Sequence, residues 1–108
     1  MDKIYLDHAA TTPLSHKAFE AMKPYFSDVF GNPNSQHVYG REGAKAVNEA
    51  RQLLANCIGA KPSEIYFTSC GTEADNWAVK GIALQNIEKG KHIITSVIEH
   101  PAIYTTCK

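Results

Sequence analysis

The fold of this chain is decided by one turn, Thr68-Ser69-Cys70-Gly71-Thr72-Glu73-Ala74-Asp75-Asn76. It joins an apolar, strand-like run at 64–68 to a helix predicted over 72–87. A turn of this kind directs backbone N–H groups and the positive end of a helix outward, which suits an anion and above all a phosphate. Gly71 has no side chain to block a close ligand, and Thr72 can donate its hydroxyl. The turn is therefore a candidate phosphate site.

The same residues also fit a purely structural interpretation. Thr72 and Asp75 match the S/T-x-x-D/E pattern of a helix capping box. Spacing alone favours the cap somewhat over the phosphate site, and the two can coexist if the loop adapts. The turn matches neither G-x-G-x-x-G nor G-x-x-x-x-G-K-[ST], so neither a dinucleotide site nor a P-loop is predicted.

A second junction follows the apolar run 92–97, which we predict to be a strand. With 64–68 and the helix 72–87 it forms a βαβ unit, whose two strands should be parallel. Pro101 suits the first position of a further helix. His100 lies just after the second strand, at the edge where open α/β sheets bind ligands. It is a candidate for stacking on a cofactor ring or moving a proton, although a lone histidine beside a proline is more often a loop residue.

The first half of the chain is predicted to be an irregular arm over 1–14 followed by two helices. The first helix begins near Ser15, which can cap it, and Pro24 disturbs its end. The second runs from Val38 or Arg41 to Ile58, and Gly59 suits its C-terminal cap. The first helix is predicted to carry Ala18, Phe19 and Met22 toward a core. Helical spacing predicts the apolar side of the second helix, which consists of Ala44, Val47, Ala50 or Arg51, Leu54 and Ile58.

Composition excludes several classes of protein. The 108 residues hold eleven Lys plus Arg and eleven Asp plus Glu, so no charge imbalance favours nucleic acid or a membrane surface. No run is long and apolar enough for a signal peptide or a bilayer span, and we expect a cytoplasmic location. The three cysteines form no C-x-x-C pair, so no metal site is predicted. Cys57 is expected in the core, whereas Cys70 is either a small filler or a thiol with a lowered pKa.

Two parallel strands alone would leave both sheet edges unpaired. The chain also stops a turn or two into a predicted helix. We therefore expect it to be the N-terminal piece of a larger α/β protein and incomplete on its own.

Four segments resemble the successive landmarks of the NifS/IscS-like cysteine desulfurases. They cover essentially the whole chain, in the order and spacing of that family. The segments are Tyr5-Leu6-Asp7-His8-Ala9-Ala10-Thr11-Thr12-Pro13, Gly31-Asn32-Pro33-Asn34-Ser35-Gln36-His37, Phe67-Thr68-Ser69-Cys70-Gly71-Thr72-Glu73-Ala74-Asp75-Asn76, and Gly90-Lys91-His92-Ile93-Ile94-Thr95-Ser96 with Glu99-His100.

The resemblance implies a class-V aminotransferase-like enzyme of the pyridoxal 5′-phosphate (PLP) fold type I. Residues 1–14 would be its N-terminal arm, and 15–108 the first, truncated part of its large PLP-binding domain. The family converts L-cysteine to L-alanine and an enzyme persulfide for iron–sulfur cluster or thio-cofactor assembly. Carried over by position, Gly71 and Thr72 would bind the cofactor phosphate. His100 would stack on the pyridine ring and act in acid/base catalysis, and Cys70 replaces the family's usual Gly or Ala.

The resemblance also implies what this chain lacks. The family's Schiff-base lysine and persulfide-forming cysteine would lie beyond residue 108, so we expect the chain alone to be inactive. Its expected partners are L-cysteine, the remainder of the desulfurase chain, a second copy in a homodimer and an iron–sulfur scaffold protein. Two alternatives stay open: a related PLP enzyme such as a selenocysteine lyase, and a non-catalytic fragment that only associates with a partner chain.

Overall fold

The computed structural model describes residues 3–108. Within that range the α-helices are α1 (His16–Met22), α2 (Val38–Ile58), α3 (Gly71–Gln85) and α4 (Pro101–Tyr104). Short 3-10 helices cover Lys23–Phe26 and Pro62–Glu64. The chain forms two compact units, one ending at Ile65 and the other running from Tyr66 to Lys108. α1 and α2 belong to the first unit, and α3 and α4 to the second.

The predicted start and end of α1 are confirmed. Ser15 is its N-cap, and the Ser15 Oγ accepts a hydrogen bond of 3.2 Å from the Ala18 N–H. The helix gives way to a 3-10 turn that contains Pro24, which has no N–H to continue the α-helical ladder. The prediction that Phe19 and Met22 enter a core is wrong for this chain, because both side chains are exposed.

The prediction of a long helix ending at Gly59 is also confirmed. α2 is capped by His37, whose Nδ1 accepts a hydrogen bond of 3.3 Å from the Gly40 N–H. Gly59 ends the helix with φ of +69°, a left-handed conformation that glycine adopts without strain. The buried residues of α2 are Gly40, Gly43 and Ala55, and the predicted core residues Leu54 and Ile58 are exposed.

The predicted βαβ unit is not present as such. Residues 65–68 and 91–96 are non-helical, and no β-strand occurs anywhere in 3–108. A strand is defined by a ladder of backbone hydrogen bonds to a neighbour, and neither segment has such a ladder here. The crossover helix α3 does form between them, so only the helical part of the unit is confirmed.

The described residues bury little apolar surface. Ala55 and Ala102 are the buried hydrophobic residues of 3–108, while Leu6, Ile94 and Ile98 are between 88% and 91% exposed. Cys57, which we expected in the core, is exposed as well. Apolar exposure on this scale is typical of surface that another polypeptide covers. None of the helices within 3–108 combines the length and the hydropathy that crossing a bilayer requires.

Candidate functional site

The N-terminus of α3 is not capped as the sequence suggested. Cys70 is the N-cap, and its side chain makes no capping hydrogen bond. Instead, the Glu73 Oε2 accepts hydrogen bonds from the Ser69 backbone N–H (2.6 Å) and the Ser69 hydroxyl (2.7 Å). The predicted box of Thr72 with Asp75 is therefore wrong. Within residues 3–108 the Thr72 hydroxyl has no hydrogen-bond partner, which leaves it able to bind a ligand.

The electrostatics of this turn favour negative charge. The pKa of the Cys70 thiol is lowered, first by the backbone N–H of Glu73 and then by the Ser69 hydroxyl, with a smaller contribution from the Thr72 N–H. Desolvation of the thiol and, less strongly, the negative charge of Glu73 oppose this shift. The N–H groups of Glu73 and Thr72, in the first turn of α3, thus favour the charged form of the Cys70 thiol. Such a donor set fits a phosphate group.

His100 is fixed at the start of α4. Its Nδ1 accepts a hydrogen bond of 3.1 Å from the Ala102 N–H, and its carbonyl oxygen accepts from the N–H groups of Ile103 and Tyr104. Because Nδ1 is an acceptor, the proton of the neutral imidazole is assigned to Nε2. The exposed imidazole therefore presents an N–H donor and its ring face.

Asn76 links these two parts of the site. Its Nδ2 lies 2.9 Å from the Thr72 carbonyl oxygen and 3.4 Å from that of Ala102. The Thr106 hydroxyl lies 2.8 Å from the Asn76 Oδ1 and 2.7 Å from the Ala102 carbonyl oxygen. The Asn76 side chain thus lies between the Thr72 carbonyl oxygen and Ala102, the residue whose N–H donates to His100. Sequence reasoning missed Asn76 and Thr106 as site residues, since nothing local signals a contact between positions 30 residues apart.

Two histidines of the first unit make local contacts. The His8 ring packs edge-on against Tyr5, with ring centroids 5.1 Å apart. His37 is occupied as the cap of α2. These contacts account for both histidines structurally. Among residues 3–108, no three His, Cys, Asp or Glu side chains come together as metal ligands.

An apolar groove lies elsewhere on the second unit. It has a volume of about 560 Å³ and is lined mainly by apolar residues between the C-terminal half of α3 and residues 90–93, including Val79, Ile82, Ile87 and Ile93. It includes neither the N-terminus of α3 nor His100. The polar side chains of its lining are Asn86, Lys91 and His92. We place the candidate site at the turn instead, because a helix N-terminus offers backbone N–H donors for an anion.

Comparison with known proteins identifies the family. Residues 4–108 match the family model described as Aminotransferase class-V. The chain belongs to the class-V aminotransferases. It is 54% identical to the cysteine desulfurase IscS of Dictyoglomus turgidum over 105 residues, which are 97% of this chain and 27% of that protein. It is 55% identical to the putative cysteine desulfurase IscS 1 of Bacillus subtilis, over 100% of this chain and 28% of that protein.

A solved structure shows the same fold. A NifS-like protein superposes with a TM-score of 0.91 at 39% identity, over 97% of this chain and 29% of the other. The family match and this superposition support the fold type I class that the resemblance implied, although residues 3–108 form no strand ladder. It spans about a quarter of the length of the curated relatives it matches.

Proposed function

We propose that the complete protein is a PLP-dependent cysteine desulfurase, to which this chain contributes the phosphate-binding turn and His100. The observation that carries the proposal is that Asn76 bonds the carbonyl oxygens of Thr72 and Ala102, while the Ala102 N–H donates to the His100 Nδ1. An anion site beside an imidazole is an arrangement suited to a phosphorylated aromatic cofactor. The relatives named cysteine desulfurase support the same reaction class.

The turn would hold the cofactor by its phosphate. The donors to the phosphate would be the backbone N–H groups of Gly71 and Thr72 and the Thr72 hydroxyl. The Thr72 N–H is also one of the groups that lower the pKa of the Cys70 thiol, which supports a preference for negative charge at this turn. When bound, PLP supplies an electron sink for reactions at the substrate Cα.

The hydrogen bonds of His100 define what its ring can do. With Nδ1 held by the Ala102 N–H, the neutral ring can stack and can donate a hydrogen bond from Nε2. To accept a proton, the ring must either take it at Nδ1 or move its own proton there. Both changes break the cap of α4. The geometry thus supports stacking and hydrogen-bond donation directly, whereas acid/base catalysis requires that the cap opens.

The remaining features of the proposal concern the whole protein. L-cysteine would be the substrate, and L-alanine and an enzyme persulfide the products, with the sulfur passing to iron–sulfur cluster or thio-cofactor assembly. We propose a cytoplasmic homodimer that meets an iron–sulfur scaffold protein. The remainder of the desulfurase chain would cover apolar side chains such as Ile94 and Ile98. That the 108 residues alone are inactive stays a prediction.

The proposal is tested in the complete protein that carries these 108 residues. Thr72→Ala, His100→Ala and the double variant are compared for PLP affinity and for alanine formed from L-cysteine. We expect both quantities to fall in each single variant and furthest in the double variant. Wild-type affinity and activity in the double variant would contradict the proposal. Preference for L-selenocysteine over L-cysteine would instead identify a selenocysteine lyase.

A further inference from the structure

The side-chain contacts of Asn76 extend beyond its own helix, α3. It lies half-buried on α3 and makes contacts to both sides of the candidate site. One side chain nitrogen faces the carbonyl oxygens of Thr72 and Ala102, and its oxygen lies within hydrogen-bond distance of the Thr106 hydroxyl. Both hydrogen-bonding groups of the amide are thus used between α3 and the segment that begins with α4.

The same helix offers a natural comparison. The Asn86 Nδ2 donates a 2.8 Å hydrogen bond to the carbonyl oxygen of Ile82, four residues earlier, just as Asn76 does to Thr72 at 2.9 Å. Asn86, the C-cap residue of α3, makes no side-chain hydrogen bond to Ala102 or Thr106 within residues 3–108. The difference between the two asparagines is therefore the bridge to α4.

That bridge acts on His100 through a short chain of contacts. Ala102 donates its N–H to His100 Nδ1, and its carbonyl oxygen faces the Asn76 Nδ2. Ala102 is also one of the buried residues of the described chain, at 6% exposure. A buried residue whose backbone N–H and carbonyl oxygen are both hydrogen-bonded to side chains has little freedom to shift. Asn76 therefore contacts the residue whose N–H holds the His100 ring.

We propose that Asn76 is a positioning residue that acts through His100, holding the imidazole at a fixed place beside the turn that binds the cofactor phosphate. The inference rests on the proposed function for its consequence, which is the affinity for PLP. Thr106 completes the bridge by orienting the Asn76 amide. Removal of either side chain releases α4 and, with it, His100.

The decisive experiment is a double-mutant cycle in the complete protein, with PLP affinity as the readout. Asn76→Ala should weaken PLP binding by about tenfold, the usual scale for one or two lost hydrogen bonds. In the His100→Ala background the same substitution should cost less than about twofold, because the residue it positions is gone. Equal losses in both backgrounds would overturn the proposal and leave Asn76 a general structural residue.

Matched variants separate the bridge from helix stability. Asn86→Ala removes the same kind of intrahelical hydrogen bond and should leave PLP affinity unchanged. Thr106→Val should behave like Asn76→Ala, whereas Thr106→Ser keeps the hydroxyl and should restore wild-type affinity. If Asn86→Ala weakens binding as much as Asn76→Ala, the bridge is not the cause. Thr106→Val also keeps the proposal falsifiable if Asn76→Ala does not fold.

Hydrogen–deuterium exchange in the cofactor-free protein provides a readout that does not depend on the proposed function. Asn76→Ala and Thr106→Val should speed exchange over residues 100–108, and Asn86→Ala should not. Unchanged exchange in the first two variants would overturn the positioning role, whatever the cofactor. If the wild-type protein binds no PLP while the two variants still exchange faster than it does, the proposed function and the consequence for PLP are overturned. That result would uphold the bridge itself.

Discussion

Replacing Gly71 by alanine tests whether glycine is needed at this position for folding or for ligand binding. A methyl group built on Gly71 meets no atom within 4 Å, and the Gly71 φ is not in the left-handed region. The fold therefore tolerates alanine, and we expect the free energy of unfolding to change by less than about 0.5 kcal/mol. A phosphate at the turn would meet the new methyl group instead. Losing one N–H contact to a charged oxygen costs about 1.5–3 kcal/mol, which weakens PLP binding about 10- to 150-fold.

The assay combines PLP titration with thermal unfolding of the cofactor-free protein. Gly81→Ala is the matched control, since its methyl group would lie 3.9 Å from the Trp77 Cδ1, an ordinary contact, inside the same helix. It should stabilise α3 by up to about 1 kcal/mol and leave PLP affinity unchanged. The reasoning is refuted if Gly71→Ala binds PLP like the wild type, or if it unfolds at a clearly lower temperature.

Three further predictions concern packing and charge. Gly43→Ala should destabilise the protein by about 1–3 kcal/mol, because the new methyl group would lie closer than 3.0 Å to the Gly31 carbonyl oxygen. The melting temperature should fall, and an unchanged value would refute the close packing. Because the pKa of Cys70 is lowered, iodoacetamide should modify the Cys70 thiol at a lower pH in the folded protein than in the urea-unfolded protein, and inorganic phosphate should slow the reaction. Coinciding pH profiles of the folded and unfolded protein would contradict the lowered pKa. The N–H and hydroxyl of Ser69 lower the pKa of Glu73, so Glu73→Gln should reduce the free energy of unfolding at neutral pH. The difference between wild type and variant should vanish as the pH falls below roughly 4 and through the lowered pKa. Thermal melts that differ equally at all pH values would exclude the hydrogen bonds as the cause.

The helices could be predicted from the sequence because their signals are local. Ser15 before α1, Gly59 after α2 and Pro101 at the start of α4 act within one turn of the chain. The apolar runs 64–68 and 92–97 have the composition of strands, but a strand also needs a neighbour for its hydrogen bonds, which the described residues do not supply. The core predictions for Leu54 and Ile58 failed for a related reason, since helical spacing does not specify what packs against that face.

The candidate site likewise has a part that local sequence motifs predict and a part that depends on packing. The turn at Gly71 and Thr72 and the position of His100 were readable as motifs. The capping pattern misled, since a short motif of Thr72 and Asp75 competes with the reach of Glu73 back to Ser69, and only the structure shows which is formed. The bridge through Asn76 depends on the packing of two helices and has no sequence signature.

The most direct test of the central claim is a crystal structure of the complete protein with PLP. We predict that the phosphate lies against the N–H groups of Gly71 and Thr72, within hydrogen-bond distance of the Thr72 hydroxyl, and that the His100 ring stacks on the pyridine ring. A phosphate bound away from the N-terminus of α3, or a pyridine ring that makes no contact with His100, would contradict the account.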